Sequence, residues 1–213
     1  GGTGREWRSR MNARRFHVIT AEFEIVTPMF IGGADHKVTR LRMDSLMGAL
    51  AFWWQALHFA RHVHEAGSVP DGLDVLHREV VHLFGGHHHE TGRPETDATQ
   101  ARVLARLRAG PGPGEVVPSG QVLRQEGGGK SGKPVGVGAR YLGYGLVDAF
   151  GETAGQMQRE CFRGGPTFRV DFVLRGGLAA ETVYGFRAAL KLFGLLGGLG
   201  SRVRRGWGSV SLK

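Results

Sequence analysis

Cysteine is almost absent from the 213-residue sequence, which contains only Cys161. One cysteine excludes an internal disulfide and a zinc site made of several cysteines. No apolar run approaches the ~18 residues that are needed to span a membrane, and the first residues contain no apolar segment of the signal-peptide type. We therefore expect a cytoplasmic protein without a membrane partner, and no motif predicts a metal or another cofactor.

Lysine and acidic residues are also scarce relative to arginine. The chain has 28 lysines and arginines, of which 23 are arginine, against 19 acidic residues, and its formal net charge is +9. This balance favours acidic partners, with nucleic acid ahead of an anionic membrane surface. Guanidinium groups bind phosphate through two donors at once, which strengthens that preference. A bias in the base composition of the genome would also explain the arginine content.

Hydrophobic periodicity predicts an α+β protein. Apolar–polar alternation indicates strands, and apolar residues three or four positions apart indicate helices. The order of the elements predicts a ferredoxin-like (RRM-like) βαββαβ fold with helical and glycine-rich loop insertions, a class that RNA-recognition domains also use. The predicted strands are 16–26, 102–108, 141–147, 167–174 and 209–212, and the predicted helices are 73–84, 181–196 and one that Asp44 or Ser45 caps and that runs to about His64.

Residues 16–213 are predicted to form a single domain. The preceding residues 1–15 contain five arginines and one glutamate, which is typical of a basic N-terminal arm; a cloning remnant is the alternative. Prolines and a Gly-Gly-Gly run predict that a loop of about 109–138 projects from the domain. In the first strand the apolar residues change parity, and a bulge near Thr20 or Ala21 would reconcile them.

The first candidate site is the segment 27–50, in which two glycines, three cations and a predicted helix N-terminus lie close together. Glycine lets backbone amides approach an anion, and a helix N-terminus offers unpaired amides at the positive end of its dipole. The segment is no Walker loop, since no Gly-Lys-Ser/Thr follows the glycines. An ordinary strand-to-helix loop with a normal cap is the alternative. The predicted RNA-binding residues are Gly32, Gly33, Lys37, Arg40, Arg42, Ser45 and Gly48.

The second candidate site is the segment 193–210, in which glycines bracket three arginines after a predicted helix. Glycines leave room for a sugar-phosphate chain, and arginines supply charge and paired donors. A helix that ends at glycine and continues into a solvated basic turn is the alternative. The predicted RNA-binding residues are Gly200, Ser201, Arg202, Arg204 and Arg205.

Three other groups of side chains carry weaker signals. The consecutive histidines 87–89 favour a solvated loop, because adjacent residues rarely converge on one metal ion. The aromatic residues Phe52, Trp53, Trp54 and Phe59 favour core packing over stacking on bases. Asp35 and His36 lie in the first glycine loop, where a nuclease role is an alternative to a structural or RNA-contacting one.

Together these segments resemble the RAMP superfamily of CRISPR proteins and, within it, the first RAMP subunit of the type III-B (Cmr) effector complex. The resembling residues are 27–34 (TPMFIGGA), Arg42, 45–57 (SLMGALAFWWQAL), 83–86 (LFGG), 141–145 (YLGYG) and 197–210 (GGLGSRVRRGWGSV). Family members usually have basic residues where this helix has Met47, Ala51 and Gln55, and they are usually longer, with a second ferredoxin-like half.

The resemblance implies a non-catalytic RNA-binding subunit of a ribonucleoprotein complex in antiviral defence. Such a subunit holds the 3′ region of the crRNA and the paired target RNA beside other Cmr subunits. Sequence specificity then comes from base pairing by the guide and not from protein side chains. Related subunits cleave RNA with a loop aspartate or histidine, so a RAMP endoribonuclease acting through Asp35 or His36 is the alternative. A third hypothesis is a module whose basic surface binds acidic neighbouring subunits.

Overall fold

The computed structural model describes residues 16–32, 38–87, 98–124 and 133–213. Helices and antiparallel strands both occur along these residues, which confirms the α+β class. The strands are β1 His17–Ile25, β2 Gly86–His87, β3 Ala98–Thr99, β4 Val103–Ala109, β5 Val116–Val117, β6 Cys161–Phe162, β7 Thr167–Leu174 and β8 Val210–Leu212. The α-helices are α1 Met43–Ala66, α2 Val69–Phe84, α3 Val137–Leu142 and α4 Ala180–Leu196, and short 3₁₀ turns occupy Pro113–Glu115 and Val203–Arg205.

Four strands form the main sheet, in the order β4-β7-β1-β8. β1 and β8 run antiparallel, with Phe23 opposite Leu212 and Ile25 opposite Val210. The alternation that the sequence predicts for β7 is confirmed by four fully buried side chains on one face, Phe168, Val170, Phe172 and Leu174. This face of the strand contributes to the hydrophobic core, because side chains two positions apart point the same way.

The first strand does not bury all of the apolar residues that the sequence assigned to it. β1 runs from residue 17 to residue 25, and its buried side chains are Ala21, Phe23 and Ile25. Phe16 and Val18 are 61% and 56% exposed. The change of parity therefore needs no bulge to explain it, since these two early apolar residues are exposed and do not reach the core.

One unit of the fold comprises, among the described residues, 16–21, 46–87, 98–108 and 170–193. Its core includes Phe172 and Phe186, whose rings meet edge to face at 5.4 Å between centroids. Helices α1 and α2 approach closely at Gly72, where an added Cβ would lie 2.6 Å from the Val63 backbone. Glycine at this position therefore lets the two helices pack in direct contact.

The buried face of α1 steps by four residues. Leu46, Leu50 and Trp54 are buried, and Phe52 and Phe59 are 55% and 40% exposed. The prediction that the aromatic residues of this helix pack in the core is right for Trp54 and wrong for these two phenylalanines. A run of adjacent aromatic residues cannot occupy one helix face, because neighbouring positions differ by about 100°.

The second unit comprises, among the described residues, 22–32, 38–45, 109–124, 133–169 and 194–213. Its buried cluster consists of Phe30, Leu123, Leu146, Val147, Met157, Cys161 and Trp207. The Cys161 thiol donates a hydrogen bond to the Met157 sulfur at 3.4 Å. Burial raises the pKa of the Cys161 thiol to about 12, so the thiol stays neutral inside this cluster.

Parts of the segment 109–138, which the sequence predicts to project, lie against the core of the second unit; residues 125–132 of the segment fall outside the described residues. Leu123 is buried in the core of the second unit, and Val117 and Val135 pack against it. Val117 pairs with Cys161 in the β5–β6 ladder. The prediction was based on the glycine and proline content of the segment and did not consider these apolar residues. Their burial holds the described parts of the segment against the core.

The predicted strand 141–147 is instead the end of α3 and a turn. The Gly143 amide donates a hydrogen bond to the Ala139 carbonyl at 2.9 Å, as at a helix end. Tyr141 and Tyr144 are 63% and 61% exposed. Both side chains are therefore exposed at the helix end and the turn, and neither belongs to a buried strand face.

Candidate nucleic-acid interface

The described parts of two segments that the sequence singled out lie side by side in the second unit. We call residues 27–42 the Thr27 loop and residues 197–208 the arginine turn. The Ser201 amide donates a hydrogen bond to the Phe30 carbonyl at 2.8 Å, which joins the two backbones directly. The structure therefore brings the two arginine-bearing segments together.

Glycine is required at two positions of the arginine turn, one of which touches the Thr27 loop. Gly200 has φ +93°, and an added Cβ would lie 2.4 Å from the Phe30 carbonyl oxygen. Gly208 has φ +68°, and its added Cβ would lie 2.0 Å from the Leu199 carbonyl oxygen. The sequence predicts that such glycines make room for a sugar-phosphate chain, but at Gly200 the protein's own backbone fills that space.

The Thr27 side chain ties the Thr27 loop to the end of the arginine turn. Its hydroxyl donates a hydrogen bond to the Gly206 carbonyl at 2.7 Å and accepts one from the Ser209 amide at 2.9 Å. One hydroxyl thus bonds to a backbone carbonyl and to a backbone amide of the turn, where continuous β-sheet hydrogen bonding is absent.

Arg202 shapes the arginine turn. It has φ +61° and is the only non-glycine residue with a left-handed backbone in the part of the chain that the structure describes. Its guanidinium donates a hydrogen bond to the Tyr144 carbonyl at 3.0 Å. Left-handed arginine is unusual and disfavoured without support, so we assign Arg202 a structural role that competes with ligand binding.

Arg204 and Arg205 present their charges to solvent. Both are exposed, and neither side chain forms a hydrogen bond or an ion pair with residues 16–32, 38–87, 98–124 or 133–213. Beneath them Trp207 is buried and packs edge to face on Phe30 at 5.5 Å. The two guanidinium groups are therefore held on an anchored turn and are available to an anion.

The Thr27 loop presents two further arginines. Gly32 pairs with Thr39 in an isolated bridge, and the Arg40 amide donates to the Ile31 carbonyl at 3.2 Å. Leu41 is buried, and Arg40 and Arg42 on either side of it are exposed. The Arg42 guanidinium lies 3.9 Å from the Asp44 carboxylate, but both groups are solvated, and such pairs contribute little.

Some predicted site residues fall elsewhere. Gly33, Lys37, Asp35 and His36 lie outside the described residues, as do His88 and His89 of the histidine run. Helix α1 begins at Met43, so Asp44 and Ser45 lie in its first turn and neither caps it. Gly48 belongs to the first unit, where it is exposed and an added Cβ would meet nothing within 4 Å.

The segment 141–145 is a part of the site that reasoning from residue types missed. The Tyr144 carbonyl accepts the Arg202 hydrogen bond, and an added Cβ at Gly143 would lie 2.8 Å from the Trp207 ring. The YLGYG sequence was the available signal, but it indicated only a resemblance. The structure shows that this segment supports the arginine turn.

The first unit contains a polar cluster of its own. The Trp54 indole donates a hydrogen bond to the Glu79 carboxylate at 3.3 Å, and the buried His62 imidazole lies 3.0 Å from the same carboxylate. Within the described ranges no group of three histidine, cysteine or acidic residues is placed to hold a metal ion. No helix in those ranges is long and apolar enough to cross a membrane.

Residues 22–98 match the sequence model of the RAMP superfamily. This stretch contains the Thr27 loop and the SLMGALAFWWQAL helix, so the resemblance inferred from those motifs is confirmed over this segment. Among curated proteins no match to the sequence was found.

Several solved structures are similar to the chain at low identity. Cmr1 from Pyrococcus furiosus in its apo form is 16% identical over 92% of this chain, with a TM-score of 0.45. A type III-B Cmr-beta complex bound to cognate target RNA contains a chain that is 11% identical over 98% of this chain, with a TM-score of 0.48. A chain of a type IV-B CRISPR complex is 16% identical over 92% of this chain and 90% of its own length, with a TM-score of 0.45. The present chain spans 49% of the Cmr1 chain and 64% of the Cmr-beta chain.

Proposed function

We propose that this chain is a non-catalytic RNA-binding subunit of a CRISPR ribonucleoprotein effector complex. The observation that carries the proposal is the backbone junction of the Thr27 loop and the arginine turn, which places exposed arginines of both segments on one unit. Guanidinium groups that lack protein partners are suited to phosphate oxygens, and the net charge of +9 attracts a polyanion. Binding of this kind reads charge and backbone shape and leaves base identity to the guide.

The partners that we propose are the 3′ region of the crRNA, the paired target RNA and other Cmr subunits. The RAMP-superfamily match of residues 22–98 supports this assignment. Phosphate neutralisation needs no proton transfer, so the site that we describe has no need of a catalytic group. Incubation of labelled RNA with Mg²⁺ and the wild-type chain should give no cuts; cuts that disappear in Asp35→Ala or His36→Ala would replace this proposal by a RAMP endoribonuclease.

The ferredoxin-like order is part of the same proposal. In a βαββαβ chain the first and third strands are central, and the second and fourth lie at the edges. The main sheet has β1 and β7 at its centre and β4 and β8 at its edges, with α1 and α2 after the first strand and α4 after the third. This arrangement supports a ferredoxin-like RAMP domain with the remaining elements as insertions.

The decisive experiment compares two double variants that lose the same charge. Arg204→Ala with Arg205→Ala removes the exposed pair of the arginine turn. Arg106→Ala with Arg187→Ala removes two exposed arginines of the first unit whose side chains also lack hydrogen bonds and ion pairs to the described residues. RNA affinity is measured from low to high salt by fluorescence anisotropy. We expect the first variant to lower the slope of log affinity against log salt by roughly 1 per arginine.

The control variant should keep most of the wild-type slope, because it changes net charge without touching the proposed contacts. If both variants lose the same amount of slope, RNA binding depends only on the net charge of the protein. That result would overturn the assignment to the arginine turn. Wild-type affinity that hardly changes with salt would overturn the RNA-binding proposal itself.

A further inference from the structure

A cavity of about 250 Å³ opens beside the arginine turn within the second unit. Its wall is mainly apolar and includes Leu123, Val135 and Leu142. The charged residues on its lining are Arg124 and Arg205. The cavity therefore combines an apolar interior with cationic groups.

The size of the cavity limits what can occupy it. Pockets for drug-sized ligands range from about 300 to 1,000 Å³, so this one suits a smaller group, such as a single flat heterocycle. Trp207 forms part of the wall. Aromatic side chains and guanidinium planes are the surfaces on which unstacked bases of single-stranded RNA lie.

The charges decide between a nucleobase and an apolar side chain of another protein. An apolar side chain would fill the interior and leave the exposed Arg205 guanidinium, whose side chain forms no hydrogen bond or ion pair with the described residues, without an anionic partner from the same ligand. A base arrives covalently linked to its own phosphates. Arg205 belongs both to this lining and to the proposed phosphate-binding surface, so one nucleotide can fill the interior with its base and pair its phosphate with Arg205.

We infer that this cavity receives one unpaired nucleobase, turned out of an RNA strand whose phosphates lie against Arg204 and Arg205. The inference rests on the proposed RNA-binding function and adds to it a position along the strand at which the protein contacts a base. A base that is already unpaired enters at the lowest cost, because no base pair has to break.

The test uses a short single-stranded RNA in which one residue at a time is abasic or carries 2-aminopurine. The full-length wild-type chain should lose affinity by roughly ten-fold when one particular position is abasic, which is within the range for loss of one stacked base. The other abasic positions should have smaller effects, since their phosphates remain. A 2-aminopurine at the sensitive position should change its fluorescence on binding more than it does elsewhere.

A matched pair of variants then locates the base. Ala139→Leu fills the cavity, because Ala139 is on its lining. Gly138→Leu adds the same side chain one position earlier on α3, where an added Cβ meets nothing within 4 Å. The position-specific loss and the fluorescence change should disappear in Ala139→Leu and persist in Gly138→Leu.

Three results would count against the inference. Wild-type binding with no position-specific loss overturns the base site and leaves salt-dependent RNA binding intact. Persistence of the position-specific loss in a folded Ala139→Leu protein places the base elsewhere. A wild-type chain that binds no RNA overturns the inference together with the proposed function. Because the abasic scan needs only wild-type protein, a filled variant that fails to fold does not decide the outcome.

Discussion

Gly200 lies against Phe30 so closely that an added Cβ would be 2.4 Å from the Phe30 carbonyl oxygen. Gly206, in the same turn, also has a positive φ (+84°), but an added Cβ there meets nothing within 4 Å. The two positions therefore separate the cost of a left-handed backbone from the cost of a collision.

We expect Gly206→Ala to lower the free energy of unfolding by about 1 kcal/mol, which is the conformational cost alone. Gly200→Ala should lower it by about 3 kcal/mol or more, because the two backbones must also move apart. Urea unfolding followed by circular dichroism measures both values. Equal losses would mean that the contact between the two loops contributes nothing to stability.

Arg202 offers a test of structural against ligand-binding roles. Arg202→Gly removes the hydrogen bond to the Tyr144 carbonyl but accepts φ +61° without strain, whereas Arg202→Ala loses the bond and keeps the strain. We expect the alanine variant to be less stable than the glycine variant by about 1 kcal/mol. Thermal unfolding gives this difference, and a glycine variant no more stable than the alanine variant would contradict it.

The Cys161 thiol should report the opening of the second unit. Its side chain is fully buried, and burial raises its pKa to about 12. At pH 8 the native thiol is therefore both protonated and inaccessible, and we expect negligible reaction with a thiol-specific disulfide reagent. Addition of denaturant should give rapid, stoichiometric labelling, because the ordinary thiol pKa near 9.0 returns. Rapid labelling of the folded chain would show that this core is open to solvent.

Glu22 and Arg169 predict how stability changes with acid. The Arg169 guanidinium donates a hydrogen bond to the Glu22 carboxylate at 2.6 Å, and this bond together with the positive charge lowers the Glu22 pKa below its ordinary value of 4.5. The stabilising effect of the ionised carboxylate is fully present above pH 4.5 and is lost as the pH falls through the lower pKa of the folded protein.

In Glu22→Gln the free energy of unfolding should therefore fall less steeply between pH 4.5 and pH 3 than in the wild type. Its dependence on pH near neutrality should be unchanged. Glu152→Gln, at an exposed turn position of the same unit, serves as the control. Urea unfolding at intervals between pH 7 and pH 3 gives the comparison. A fall of the same steepness in Glu22→Gln and in wild type would show that this pair does not respond to acid.

Elements with strong periodicity were predictable from the sequence, and features set by the backbone were not. The buried alternation of β7 and the extent of α4 follow from side-chain patterns, which record which face is apolar. The strand predicted at 141–147 was wrong because a helix ends at Leu142 and the chain then turns, through backbone hydrogen bonds such as that from the Gly143 amide to the Ala139 carbonyl. At the start of β1, exposed apolar residues suggested a bulge that the strand does not need.

The candidate site was predictable in part. The Thr27 loop and the arginine turn stood out by composition, and the structure joins them. The partners that join them are carbonyl groups, such as those of Phe30 and Tyr144, and every residue type carries a carbonyl. No pattern of side chains distinguishes the carbonyl that will accept a bond, so the supporting role of segment 141–145 emerges only from the fold.

Trp207, buried at the base of the arginine turn, bears on the speed and tightness of association. Since its anchor and the backbone junction fix the turn while the chain folds, Arg204 and Arg205 need to lose only side-chain freedom when an anion arrives. Because the turn is already ordered, less of the binding free energy is lost to ordering the main chain, and the affinity is higher. It also lets a docking step follow first encounter without a slow rearrangement of the main chain.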